Sequence, residues 1–332
     1  MSINRPTKGG ALLAVLWLSA ALSAIAFSVA TTVRGEVERA ATAGDGVRGY
    51  FLARGAIERA LLWVYWGEQF RNPDGSPRYW AQGTRRLHFE FPNGSADVDF
   101  IPESSKLNVN AALPEELFRL LLAVGAEPDR AQAIAAAIVD WRTPAPQGVS
   151  EYDGYYSMLV PSFRARHASL EEIEEILLVR GMTPELFHGT YTRDGGDRLI
   201  ARPGLRDCLS VYSGGGPVDV NTAQPAVLAA VGLPPDAIAA IVETRRLTPF
   251  TTPEHLRAFA ERLGPIAARI TVGGGSIVTL RASARLRLAG GQLSDMRRTV
   301  SALVKFGPST KDAPHHVLRW YDQGGLGVGD LQ

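Results

Sequence analysis

Hydrophobic and polar positions change period three times along this chain. Between Lys8 and Arg34 lie 25 residues without an ionisable side chain, GGALLAVLWLSAALSAIAFSVATTV. As a helix this run is about 37 Å long at about 1.5 Å per residue, enough to cross a hydrocarbon core of roughly 30 Å with some tilt. From Arg34 to Trp66 the apolar positions keep helical spacing, through Val47, Tyr50, Ile57, Leu61 and Val64, with Arg54 off the pattern. Glycines at 35, 44, 46, 49 and 55 weaken it by up to about 1 kcal/mol each. The expectation is a bent or loosened helix that stops near Gly67.

From Leu87 the period drops to two. Leu87, Phe89 and Phe91 alternate with His88 and Glu90, Pro92-Asn93-Gly94 turns the chain, and Ala96, Val98 and Phe100 alternate on the return. The same period reappears late. Val278, Leu280, Ala282, Ala284, Leu286 and Leu288 alternate with polar residues, three of them arginines. Met296, Val300, Ala302, Val304 and Phe306 predict the next strand, and His316 to Tyr321 a short third one.

Residues 106–270, between these sheet segments, read as helical with Pro and Gly breaks. Val-Asn-x-Ala-x-Pro-x-x-Leu occurs twice, from Val109 and from Val220, 111 residues apart. Each copy is followed by a helix with a similar ending, Ile138-Val139-Asp140-Trp141-Arg142 and Ile241-Val242-Glu243-Thr244-Arg245. Each predicts a helix pair with the asparagine at the entry turn and proline at the helix start, where its missing N–H costs nothing. A further helix is expected over Ser169–Arg180, opened by Ser169 and Glu172 as a capping box.

The pairs resemble helix-hairpin-helix or SAM-like units, which raises DNA binding. Such a motif grips phosphate with a glycine-hydrophobic-glycine loop. Here the loops are Gly125-Ala126-Glu127 and Gly232-Leu233-Pro234, each with only the first glycine, and the insert carries 16 Lys and Arg against 20 Asp and Glu. A phosphate-binding surface should be basic, so a structural use is preferred and nucleic acid is not expected as a partner. The single cysteine, Cys208, allows no intrachain disulfide. No nucleophile motif, no histidine pair at metal spacing and no phosphate loop stands out, so no enzymatic activity is expected.

The start of the chain is more specific. A short basic stub, MSINRPTK, leads to Gly9-Gly10 and then directly to the apolar run, with a polar helix beyond. This order resembles the class III signal of type IV pilins and type II secretion pseudopilins, and GGALLAVLWL is most similar to the K-type minor pseudopilins. The resemblance implies a prepilin peptidase cut between Gly9 and Gly10, or one residue later, before Ala11, followed by N-methylation. Secretory cleavage near Ala24 or Ala30 is the alternative. Major pilins carry Glu as the fifth mature residue. Here that position is Ala14, or Val15 with the later cut, an absence the K type shares and one that implies a place at the fibre tip.

The resemblance extends over the chain. It implies an α+β fold: a long N-terminal transmembrane helix and a pilin-like antiparallel sheet, split by a large all-α insert holding the two helix-hairpin-helix units. The expected divisions are a leader over 1–9, the N-terminal helix over 10–66 with its span over 10–33, a head from 67–105 and 271–332, and the insert over 106–270. It implies a minor pseudopilin in the bacterial inner membrane, N-terminus cytoplasmic and head periplasmic, with I-type and J-type minor pseudopilins as partners. In the K-type family a loop after the Asp-Trp helix can hold calcium. Asp140, Glu151 and Asp153 are the matching carboxylates, set against a solvated loop as the plainer reading, and no other cofactor is expected. The rivals are a membrane-anchored DNA receptor of the competence type and a tethered hydrolase using the acids near Asp153.

Overall fold

The computed structural model describes residues 10–81, 83–145, 148–193, 199–307 and 315–322. The leader 1–9 with Gly9, and the glycine-rich tail from Gln323, lie outside the described residues.

Helix α1 runs unbroken over Gly10–Gln69, 60 residues or about 90 Å. The glycines do not interrupt it, and the expected loosening is not seen. The buried face is also turned from the expected stripe. Leu52, Ala53, Ala56, Ile57, Ala60 and Leu61 are buried, while Val47 and Arg54 are exposed. Alanines face the sheet because they let the helix backbone approach it closely. Gly49 serves the same approach, since a Cβ there would lie 3.0 Å from the Cβ of Arg298.

The sheet has five strands in sequential order, all neighbours antiparallel: β1 (Arg86–Phe91), β2 (Gly94–Pro102), β3 (Ile277–Arg287), β4 (Leu293–Phe306) and β5 (His315–Tyr321). The period-two residues do what their spacing demands. Phe89, Val98, Leu280, Ala282, Ala284, Val300, Ala302 and Val304 are buried under α1, and the alternate arginines of β3 take the other face. Met296 departs from the expected stripe and is exposed, because the β3–β4 register shifts between Leu293 and Arg297. At the β1–β2 turn Gly94 is required sterically. A Cβ there would run into the carbonyl of Arg285 and lie 2.7 Å from Leu52 Cδ2.

The insert leaves after β2 and returns at β3. These strands are direct partners, with Pro102 opposite Val278, so the sheet closes beneath the insert as if it were a long loop. A second core fills the insert, separate from that of the head. The two repeats form α2 (Pro114–Ala123) with α3 (Pro128–Arg142), and α4 (Pro225–Ala230) with α5 (Pro235–Leu247).

The insert is not purely helical. Leu107–Asn108 pairs in parallel with Leu209–Ser210, Val218–Asp219 in parallel with Ile270–Thr271, and Thr190–Arg193 in antiparallel fashion with Leu199–Arg202. Two-residue and four-residue strands are too short to print a period on the sequence. The helix expected over Ser169–Arg180 is a shorter 3-10 segment, Ile173–Leu178. Its start is held by the Glu175 carboxylate, which accepts from the backbone N–H of Glu171 and Glu172, so Ser169 is not the cap.

Candidate functional site

The first part of α1, from Gly10 to Val33, is exposed throughout and long and apolar enough to cross a membrane. Three of its five hydroxyls are spent on the helix itself: Ser19 Oγ donates to Leu16 O, and Thr31 and Thr32 both donate to Ser28 O, each at 2.9 Å. That lowers the cost of bringing those hydroxyls into hydrocarbon. Gly10, the first described residue, lies in the helix, and Ala11, Ala14 and Val15 follow within it. The segment carries no charge before Arg34.

The repeats explain their shared letters. Asn110 accepts from Leu170 N at 2.8 Å and donates to Leu170 O at 2.9 Å. Asn221 does the same to Phe250, at 2.9 and 2.8 Å. Each asparagine therefore holds a distant loop by both backbone groups of one residue. The arginines that end the second helices are equally matched. Arg142 donates to the carbonyls of Val109 and Ala112, and Arg245 to those of Val220 and Ala223. Burial lowers the pKa of both. Arg245 is pushed down to about 10, with the nearby Arg85 charge adding to the effect and Asp219 opposing it. The units meet through Arg119 Nε donating to Ala230 O at 2.8 Å. Residues 119 and 230 are themselves 111 apart, so equivalent positions of the two units touch, as a pseudo-twofold pairing requires. Sequence reading noticed the repeated arginine as a helix ending and missed its work on the entry turn.

The hairpin loops have little to offer a phosphate. The N–H groups of Gly125, Ala126, Gly232 and Leu233 donate to Leu122, Leu121, Ala229 and Leu228, and the Arg202 side chain lies against Gly125. Gly125 and Gly232 are needed for their left-handed turns, at φ 95° and 100°.

A clasp joins head and insert. Glu103, in a short 3-10 turn directly after β2, is 3% exposed. Its Oε1 receives Lys106 Nζ at 3.0 Å and Thr279 Oγ1 of β3 at 2.7 Å, and its Oε2 receives Ser210 Oγ of the insert. Burial alone would raise this carboxyl. The Lys106 charge and the three hydrogen bonds outweigh it and hold the group below its ordinary value. Nothing in the local sequence around Glu103 announces the clasp, because its partners lie 107 and 176 residues away.

Residues 99–189 match the family model described as type II secretion system, protein K. Type II secretion system protein K of Klebsiella pneumoniae is 27% identical over an alignment of 206 residues that covers 56% of this chain and 61% of that protein. The chain thus matches about three-fifths of the length of that curated relative. In fold the chain is similar to the crystal structure of the GspK-GspI-GspJ complex from the type 2 secretion system of enterotoxigenic Escherichia coli. The TM-score is 0.53 at 16% identity, covering 86% of this chain and all of that one.

The matched stretch begins within β2 and includes Glu103, the first hairpin and the Asp140–Asp153 loop. Asp140 Oδ2 accepts from Ser150 Oγ, and Asp153 accepts from Ser150 N, so both carboxylates gather on one serine. Glu151 is exposed. His167 Nε2 lies 3.0 and 3.2 Å from the two Asp153 oxygens, and its Nδ1 lies 3.3 Å from Asp140 O. Burial disfavours the imidazolium, but Asp153 more than offsets this and raises its pKa. Calcium takes six to eight oxygens. Among the described residues no group of three His, Cys, Asp or Glu is placed to hold a metal; of the three matching carboxylates the loop brings together Asp140 and Asp153 and not Glu151. Cys208 is fully buried and its thiol is pushed up by burial.

Proposed function

We propose that this chain is a K-type minor pseudopilin of a type II secretion system, placed at the tip of the pseudopilus with I-type and J-type partners and helping to start its assembly. The residues of 10–33 hold it in the inner membrane, with the N-terminus cytoplasmic and the head and insert periplasmic. A prepilin peptidase removes the leader after Gly9. The chain acts as an assembly component, without a reaction of its own.

The observation that carries this reading is the position of the insert. It springs from between two paired strands of a pilin-like head, so it adds bulk without altering the α1–sheet body that packs in a fibre. Bulk of that size can crown a fibre but would obstruct stacking within it. The uncharged Ala14 supports the same place. A carboxylate in a bilayer costs roughly 2.5–3.5 kcal/mol on insertion scales and persists only with a use. In pilins the use is a contact to the subunit above, which a tip subunit does not have.

N-terminal sequencing of the membrane-extracted protein tests the reading. The expected mature start is Gly10, and Gly9→Ala is expected to slow processing more than Gly10→Ala. A mature protein beginning near residue 25 or 31 and released from the membrane would remove the basis for the proposal.

A further inference from the structure

The two outer edges of the five-stranded sheet are built differently. Along β5 the register with β4 slips: Arg319 faces Leu303, Val317 faces Val304, and Leu318 is an extra residue between them. A bulge of this kind bends an edge away from other strands. The Arg319 side chain is also paired with Glu172 of the insert. The opposite edge, β1, keeps an unbroken register with β2 over all of Arg86–Phe91. Phe100 N donates to Arg85 O at 2.8 Å, next to the Arg86–Asp99 pair. Bonded and non-bonded pairs alternate along an antiparallel ladder. Leu87, Phe89 and Phe91 therefore bond to β2, and His88 and Glu90 turn their N–H and C=O groups to the open side, where no described strand lies. Charged side chains commonly guard such an edge. Here they are drawn back over the sheet, His88 to Asp97 of β2 and Glu90 to Arg287 of β3, both at 2.7 Å. On the α1 side of the edge the exposed Arg59 guanidinium lies over Phe89 and Phe91, 5.1 and 5.7 Å from their ring centroids. Its contacts are with these rings and Trp63, and no described carboxylate pairs with it.

We propose that the β1 edge takes up an extended segment of a partner protein as an added antiparallel strand, with an acidic residue opposite Phe89 and an apolar residue opposite Phe91. The residues opposite His88 and Glu90 exchange backbone hydrogen bonds with them, which supply affinity without regard to sequence. The residue between, opposite Phe89, turns its side chain to the α1 face and meets Arg59. Two residues along, the half-buried Phe91 calls for an apolar neighbour. A second copy of this chain does not fit. Two β1 edges pair antiparallel about a twofold axis perpendicular to the sheet. Because α1 lies along the sheet, that axis points the two helices in opposite directions, and their spans could not share one membrane. This exclusion rests on the anchoring proposed above; the strand site itself does not.

The probe is the peptide Lys-Thr-Val-Thr-Asp-Thr-Val-Thr-Lys, blocked at both ends, dye-labelled and titrated by fluorescence anisotropy against the full chain in lipid nanodiscs, with empty nanodiscs as the blank. N-methylation of the two threonines beside the aspartate removes the N–H groups that face β1 and is expected to weaken binding at least about tenfold. N-methylation of the aspartate, whose N–H faces away, is expected to change it by less than about threefold. Asparagine in place of the aspartate is expected to weaken binding about five- to tenfold, as for the loss of a charge-assisted contact. Arg59→Gln is expected to erase that difference. Among the described residues Arg59 makes ring contacts only, at an exposed position, so this variant keeps its fold. No binding of the parent peptide, equal loss from the two methylation patterns, or an acid preference unchanged in Arg59→Gln overturns the proposal. A dimer of the chain that the peptide dissociates assigns the edge to a second copy and overturns it as well.

Discussion

Replacing Glu103 by glutamine removes one charge from a site with little water to compensate it. The Glu103 side chain is 4% exposed and its partner Lys106 15%. Breaking a buried ion pair by removing one partner costs about 3–5 kcal/mol when the survivor stays buried. Lys106 keeps some access to solvent, and glutamine can still accept from Thr279 or Ser210, so the expected loss is about 2–3 kcal/mol. In a unit of 150–250 residues that is about 4–12 °C in Tm. Thermal unfolding of the full chain in one detergent, wild type beside variant, measures it. Acid gives a second reading. The folded Glu103 carboxyl titrates below its ordinary value of 4.5, so its contribution is complete above about pH 4.5 and is lost as pH falls through the lower folded value. The gap between wild type and Glu103→Gln should therefore be widest near pH 7 and close on acidification. A Tm difference under 1 °C at pH 7, or a gap that stays constant down to pH 3, would refute the claim that this carboxylate fastens the insert to the head.

The repeats and the anchor yield further expectations. Asn221→Ala leaves both backbone groups of Phe250 without partners at a site 3% exposed, and is expected to cost about 2–4 kcal/mol in denaturant unfolding. Asn110→Ala, at a half-buried site where water can substitute, is expected to cost about half as much. Gly94→Ala sets a methyl group against the Arg285 carbonyl and Leu52, and about 1–3 kcal/mol should be lost in the same assay. Ala14→Glu puts the missing carboxylate into the span and should let the subunit enter positions within the fibre. Crosslinking along assembled pseudopili reads that directly, and an unchanged tip-only pattern counts against the positional argument.

Local pattern was enough to determine much of this protein. An uncharged run of 25 residues can only be a long apolar helix, and alternation over residues 87–101 and 278–306 can only be half-buried strands, because one face of each must meet a core. The repeat at Val109 and Val220 was legible because equal letters at equal spacing need equal local geometry. Tertiary structure decided what local pattern cannot encode. It turned α1 onto its alanines, since close packing against a sheet favours small residues over the longest apolar stripe. It gave Asn110, Asn221, Arg142 and Arg245 their partners, which lie 22 to 60 residues away in the chain. It buried Glu103 among groups from the insert and from β3, and it left the β1 edge of the sheet regular while bending the β5 edge. Each of these depends on which distant surfaces meet, and a one-dimensional pattern records only which surfaces exist.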